Sequence, residues 1–213
     1  MTVRVKICGV NSPAAMTAAV DGGAAFIGFV FYMPSPRYVT PREAAVLATL
    51  GEGHAERVGL FVNPDDKLLS DVLKEVPLDL LQLHGEESPE RISEVWKSYG
   101  IPVMKAIKVA NSQDIDRVRA YEGVTSRFLF DAQAPASMTE ALPGGNAVSF
   151  NWNWLRDRLL THPWMLSGGL SATNLEEAVR ASGAKEIDVS SGVEDMRGHK
   201  SPALIKAFPS SIK

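Results

Sequence analysis

The chain has a single cysteine, Cys8, at the end of a short stretch in which charged and apolar residues alternate. In Val3-Arg4-Val5-Lys6-Ile7-Cys8-Gly9, the valines and Ile7 fall on one side and Arg4, Lys6 and Cys8 on the other, the period of a β-strand. A strand covered on both faces is normally apolar throughout, so an inner row of two cations and a thiol needs a purpose. A thiolate can take a proton from carbon, and a carboxylic acid can give one to a leaving oxygen. Asp131, directly after Leu129-Phe130, is the matching acid. Arg37, in a loop stiffened by Pro34 and Pro36, could pair with a carboxylate. Two runs, Ser167-Gly168-Gly169-Leu170 and Ser190-Ser191-Gly192-Val193, could hold a phosphate on backbone N–H groups. Each residue alone has a plainer reading. A free cysteine is usually a small buried hydrophobe. A strand-end Asp can cap or anchor a loop, a loop Arg is usually solvated, and glycines make tight turns.

The elements that would position these residues alternate strictly. Apolar runs of strand length fall at 3–8, 25–31, 57–62, 78–83, 103–109, 127–130, 163–166 and 186–189. Helical stretches follow each of them, several with a start signal. Ser12-Pro13 and Ser88-Pro89 put a capping serine before proline, and Thr40 with Glu43 forms a capping box. The last four helices are expected at 112–120, about 152–160, 174–182 and 201–208. Eight strand–helix units predict an α/β fold, a single-domain (β/α)8 TIM barrel over residues 1–213. Segment 132–149 reads as an active-site loop rather than a domain boundary.

In such a barrel the active site lies at the C-terminal ends of the strands, with phosphate after strands seven and eight. That places Cys8, Arg37, His84, Asp131, Gly168-Gly169 and the Asp188-to-Gly192 run around one mouth. His84 is expected as a hydrogen-bonded rim residue rather than a base. Alternation also puts Lys6 roughly 7 Å below Cys8 on the same face. There its charge would favour the thiolate, and inward-facing Asp188 is its expected partner.

Composition narrows the class. With 213 residues, 45% of them hydrophobic, and a formal charge of −3, one globular domain is expected. No basic surplus points to nucleic acid and no apolar run reaches membrane-span length. One cysteine rules out an intrachain disulfide and a cysteine-rich zinc site, and the four histidines are scattered without ligand spacing. The expected compartment is the reducing cytoplasm.

Together these strings resemble the phosphoribosylanthranilate isomerase family of tryptophan biosynthesis. The match runs in order through Lys6-Ile7-Cys8-Gly9, Ser35-Pro36-Arg37, Gly59-Leu60-Phe61-Val62 and Leu81-Gln82-Leu83-His84-Gly85. It continues through Leu129-Phe130-Asp131, Gly144-Gly145, Leu166-Ser167-Gly168-Gly169-Leu170 and Asp188-Val189-Ser190-Ser191-Gly192-Val193-Glu194. The resemblance implies an Amadori rearrangement of N-(5-phosphoribosyl)anthranilate to 1-(2-carboxyphenylamino)-1-deoxyribulose 5-phosphate, without cofactor or metal. It implies Asp131 as general acid, Cys8 as general base and Arg37 on the anthranilate carboxylate. Gly169, Ser191 and Gly192 would belong to the phosphate turns, with Asp188 close by. The expected partner is this phosphorylated small molecule, with no nucleic acid and no membrane. A monomer is expected, with a dimer as the alternative. Three positions depart from the family pattern: Ala147 for Gly, Asn151 for Asp and Ser201 for Asp. Of these, Ala147 bears on the loop, because alanine tolerates positive φ poorly. Two competing readings are the related histidine-pathway isomerase, which carries an Asp where Cys8 stands, and a non-catalytic phosphosugar-binding barrel.

Overall fold

The structure, a computed structural model, describes residues 2–139, 141–156 and 158–208. Eight parallel strands close into a barrel in sequential order, β8 pairing back onto β1. The strands are β1 (Arg4–Cys8), β2 (Phe26–Val30), β3 (Glu56–Phe61), β4 (Leu80–Leu83), β5 (Val103–Val109), β6 (Arg127–Ala132), β7 (Trp164–Leu166) and β8 (Glu186–Val189). All eight lie where the apolar runs predict them.

The polar row of β1 is explained by what stands opposite each member. Arg4 lies at the N-terminal mouth, 2.8 Å from Glu186 and 2.9 Å from Glu56. Arg127 also pairs with Glu186, and both guanidiniums sit over the Phe26 ring, at 4.4 and 5.2 Å from its centre. Above this lies an apolar interior of Phe26, Val58, Leu80, Met104, Leu129 and Met165. Lys6, beside Phe26 and Asp188 in the ladder, is next, and Cys8 reaches the C-terminal mouth. Val5 and Ile7 face the other way, into the layer between barrel and helices.

The helices are α1 (Pro13–Asp21), α2 (Pro41–Leu50), α3 (Asp66–Glu75), α4 (Pro89–Tyr99), α5 (Leu175–Ser182) and α6 (Pro202–Ala207). Ser12 and Ser88 cap α1 and α4, and the Thr40–Glu43 box is complete at α2. Two expected helices differ. Segment Ser112–Ala120 is a 3-10 helix whose two buried residues, Ile115 and Val118, are three apart, the spacing that a three-residue turn aligns. The stretch expected at about 152–160 is a 3-10 turn at Trp152–Trp154; Asp157 lies outside the described residues. The chain after β8 forms an unexpected hairpin, β9 (Glu194–Met196) and β10 (His199–Lys200), turning at Gly198 with φ +85.

Two departures from the family pattern keep their local job. Asn151 caps the 3-10 turn through Asn153 N, and Ser201 caps α6 through Leu204 N. Ala147 does take the left-handed conformation, at φ +57.

Candidate active site

The C-terminal strand ends converge on a cavity of about 50 Å³, lined by Cys8, Arg37, Asp131, Gly169, Asp188 and Ser191 together with His84. Six of the seven expected site residues therefore share one wall. The seventh, Gly192, stands just behind it.

Cys8 pairs in the ladder with Gly28 of β2. A side chain at Gly28 would stand 3.1 Å from Lys6 Nζ and 3.2 Å from Cys8 Sγ, so the bare backbone leaves room for the two to meet. Lys6 Nζ donates to Asp188 Oδ1 at 2.8 Å, and the gap at Gly28 leaves it close to the Cys8 sulfur. The long lysine side chain rises along the barrel interior, so this approach is closer than the strand rise alone suggests. Asp188 Oδ2 accepts from Ser167 Oγ at 3.2 Å. Burial pushes the Cys8 thiol up. Lys6 and Lys200 pull it down, Asp188 adds to the rise, and the net direction is up. The expected help from Lys6 is real in sign, but burial outweighs it. Burial also opposes the Lys6 charge, yet Asp188 and Cys8 hold the ammonium above its usual range.

Asp131 is buried at the end of β6 and accepts the Ala132 N–H on Oδ1 at 3.0 Å. His84 directly follows β4, with Nδ1 paired to Gln82 Nε2 at 2.8 Å, which fixes the ring. Its Nε2 lies 3.3 Å from Asp131 Oδ2, a close contact without hydrogen-bond alignment. The rim position expected for His84 is thus a buried one against the carboxylate. The loop after β6 covers both groups. A Cβ on Gly144 would stand 2.7 Å from Asp131 Oδ2 and 2.8 Å from His84 Nε2.

Arg37 is buried rather than solvated. Its stem crosses Gly9, where φ is +78 and an added Cβ would stand 2.8 Å from the arginine Cδ. Nε donates to Glu194 Oε1 at 2.6 Å, and Nη2 donates to Glu194 Oε2 at 3.0 Å and to the Gly145 carbonyl at 3.2 Å. Glu194 and its second partner Lys200 were not foreseen as site residues. The one available signal was that Glu194 itself closes the last matching string.

The two Gly/Ser turns after β7 and β8 touch each other. Gly168 and Gly169 have φ +92 and +63. Asn174 braces this turn, donating to Gly169 O and accepting from Ser171 N. A Cβ on Gly192 would collide with the Leu170 carbonyl oxygen, so only glycine lets the second turn sit against the first. The Ser191–Val193 turn brings Ser191 to the cavity wall that Gly169 also lines. Among the described residues, no group of three or more His, Cys, Asp and Glu side chains could hold a metal ion.

The chain as a whole has matches among known proteins. The family model described as N-(5'-phosphoribosyl)anthranilate (PRA) isomerase matches residues 5–210. The chain belongs to the phosphoribosylanthranilate isomerase family. The isomerase of Rhodospirillum centenum is 58% identical over 98% of this chain and 97% of its own length. The crystal structure of the Thermotoga maritima phosphoribosylanthranilate isomerase has a TM-score of 0.85 at 35% identity, over 97% of this chain and 96% of that one. A phosphoribosylanthranilate isomerase crystallised with reduced 1-(o-carboxyphenylamino)-1-deoxyribulose 5-phosphate has a TM-score of 0.81 at 34% identity, with the same coverage. These matches bear out the resemblance and the barrel read from the sequence.

Proposed function

We propose that this chain is the N-(5-phosphoribosyl)anthranilate isomerase of L-tryptophan biosynthesis and that the strand-end cavity is its active site. The observation that carries the reading is the shared wall: Cys8, Asp131, Arg37 and the paired turns all face one cavity. Asp131 protonates the ribose ring oxygen, the ring opens, and a Schiff base forms at C1. Cys8 then removes the C2 proton, and the resulting enolamine rearranges to the aminoketose. Protons move within one molecule with no net oxidation, so no external oxidant or reductant enters. Arg37 binds the anthranilate carboxylate. Gly169, Ser191 and Gly192 bind the phosphate, and Asp188 holds Lys6 against Cys8. The same reading takes residues 1–213 as one domain acting as a cytoplasmic monomer, with a dimer as the alternative. Among the described residues, no helix is long and apolar enough to cross a membrane.

The test is turnover. The purified protein, given phosphoribosylanthranilate made in situ, should form the ribulose product without added metal or cofactor. The doubly phosphorylated aminoimidazole of the histidine pathway should not turn over, because the cavity offers one paired phosphate cradle. A folded protein that leaves phosphoribosylanthranilate unchanged would reject the reading.

A further inference from the structure

The hairpin that follows β8 carries two buried charges that the proposed chemistry does not use. Glu194 and Lys200 have side-chain exposures of 4% and 0%. Glu194 grips the Nε–Nη2 edge of Arg37 at two points, and Gly198 N donates to its Oε2 at 3.0 Å. Lys200 Nζ donates to Glu194 Oε1 from the other side. It also donates to Ser190 O and Oγ at 3.0 and 3.2 Å, and Ser190 Oγ donates to the Cys8 carbonyl at 3.1 Å. The hairpin therefore ties Arg37, the second phosphate turn and the end of β1 into one unit.

Charge decides what the unit is for. Arg37 and Glu194 alone would form a neutral pair with little pull on an anion. Lys200 shares the same carboxylate; burial pulls its pKa below the usual lysine range and Glu194 opposes that. While Lys200 holds its proton, the triad carries one surplus positive charge in a buried setting, where an unmatched charge calls for a counter-ion. Nη1 of Arg37 has no hydrogen-bond partner among the described residues, and Arg37 lines the cavity. Arg37 and Lys200 hold Glu194 ionised below the usual carboxylate range, against the effect of burial.

We propose that Glu194, backed by Lys200, is a positioning residue for carboxylate recognition: it locks the Arg37 guanidinium by its Nε–Nη2 edge so that Nη1 meets the carboxylate on the substrate ring. The inference rests on the reading of Arg37 as the carboxylate anchor, and the experiment separates the two. Two probes are used: reduced 1-(o-carboxyphenylamino)-1-deoxyribulose 5-phosphate and the same compound lacking the ring carboxylate. Their Kd values are measured in wild type, Glu194→Gln, Arg37→Ala and the double variant. Glu194→Gln should weaken the carboxylated probe by about tenfold or more, the size of a lost charge-assisted hydrogen bond, and the other probe by less than about twofold. In the Arg37→Ala background, Glu194→Gln should add nothing, because its effect passes through the arginine. Equal weakening of both probes, or of neither, in a folded Glu194→Gln protein would overturn the role of Glu194 while leaving Arg37 as anchor. Unchanged selectivity in Arg37→Ala would overturn both. Should Glu194→Gln not fold, Glu194→Asp keeps the charge but shortens the reach. It should still lose about threefold or more in selectivity for the carboxylated probe, and full selectivity there would equally defeat the proposal.

Discussion

The Lys6 ammonium pairs with Asp188 at 2.8 Å and lies close to the Cys8 sulfur beside the bare Gly28 backbone. The two neighbours act on the thiol in opposite directions, Lys6 lowering its pKa and Asp188 raising it, while burial raises it most. A base must be deprotonated to act, so kcat/KM should climb as pH rises through neutrality into the alkaline range. Lys6→Met should move that limb to higher pH and Asp188→Asn to lower pH. Both shifts can be read from pH–rate profiles and from the pH dependence of Cys8 alkylation. Limbs that stay put in folded variants would leave Lys6 and Asp188 with structural jobs only.

The same shift has a stability consequence whose sign is fixed. The Cys8 pKa is raised in the folded state. Between the unfolded pKa of about 8.5 and the folded value, the native chain holds a proton that the unfolded chain has lost. Stability from this group is complete below the unfolded pKa and is lost as pH rises through the folded one. Cys8→Ala should flatten this alkaline decline, measured by urea unfolding at a series of pH values. A decline of equal slope in the variant would show that other groups cause it.

Substitution of either proposed proton-transfer group should be costly and specific. Cys8→Ala and Asp131→Asn should each lower kcat by about 10²–10⁴-fold, the range for a positioned acid or base. Asparagine keeps an oxygen for the Ala132 N–H that Asp131 now accepts, so the fold should survive. Thermal melting checks this, and near-full kcat in either folded variant would remove it from the mechanism.

Gly192 tests the phosphate turns separately from the chemistry. Because a Cβ there meets the Leu170 carbonyl, Gly192→Ala must push the two turns apart. The expected result is a rise in KM and weaker inhibition by inorganic phosphate, with kcat changed far less. A variant with unaltered KM would show that the turns do not act as one cradle.

Ala147 offers a stabilising change. Its φ of +57 is unfavourable for a residue with a side chain. Ala147→Gly should relieve about 1 kcal/mol of that cost, less a fraction for the freer unfolded chain. Denaturant midpoints check the sign, and a loss of stability would mean that the alanine methyl makes a contact worth more than the strain.

Much of this site is legible in the sequence because it depends on local periodicity. The period-2 row Arg4, Lys6, Cys8 gives the inward face of β1, and strict strand–helix alternation gives the barrel that gathers Cys8, Asp131 and the Gly/Ser turns. The Glu194 clamp on Arg37 joins residues 157 positions apart, and no local pattern reports a contact made only when the barrel closes. The 3-10 form of Ser112–Ala120 also escaped, since a nine-residue amphipathic stretch fits either helix until its packing partners are known.

The loop that covers the mouth has a consequence for affinity. The space between Cys8 and Asp131 is only about 50 Å³, and it adjoins a more open hollow of about 580 Å³ bordered by Arg37, Gly145, Ser191 and Glu194. Gly145 already spends its carbonyl on Arg37, and Gly144 lies against Asp131 and His84. A substrate group that takes the place of the Gly145 carbonyl on Arg37 enters there by exchange, the chain itself being the incumbent. Every contact the loop makes with these side chains is subtracted from the observed binding strength. A tighter lid on the empty enzyme means a weaker grip on the incoming sugar, even with each recognition group unchanged.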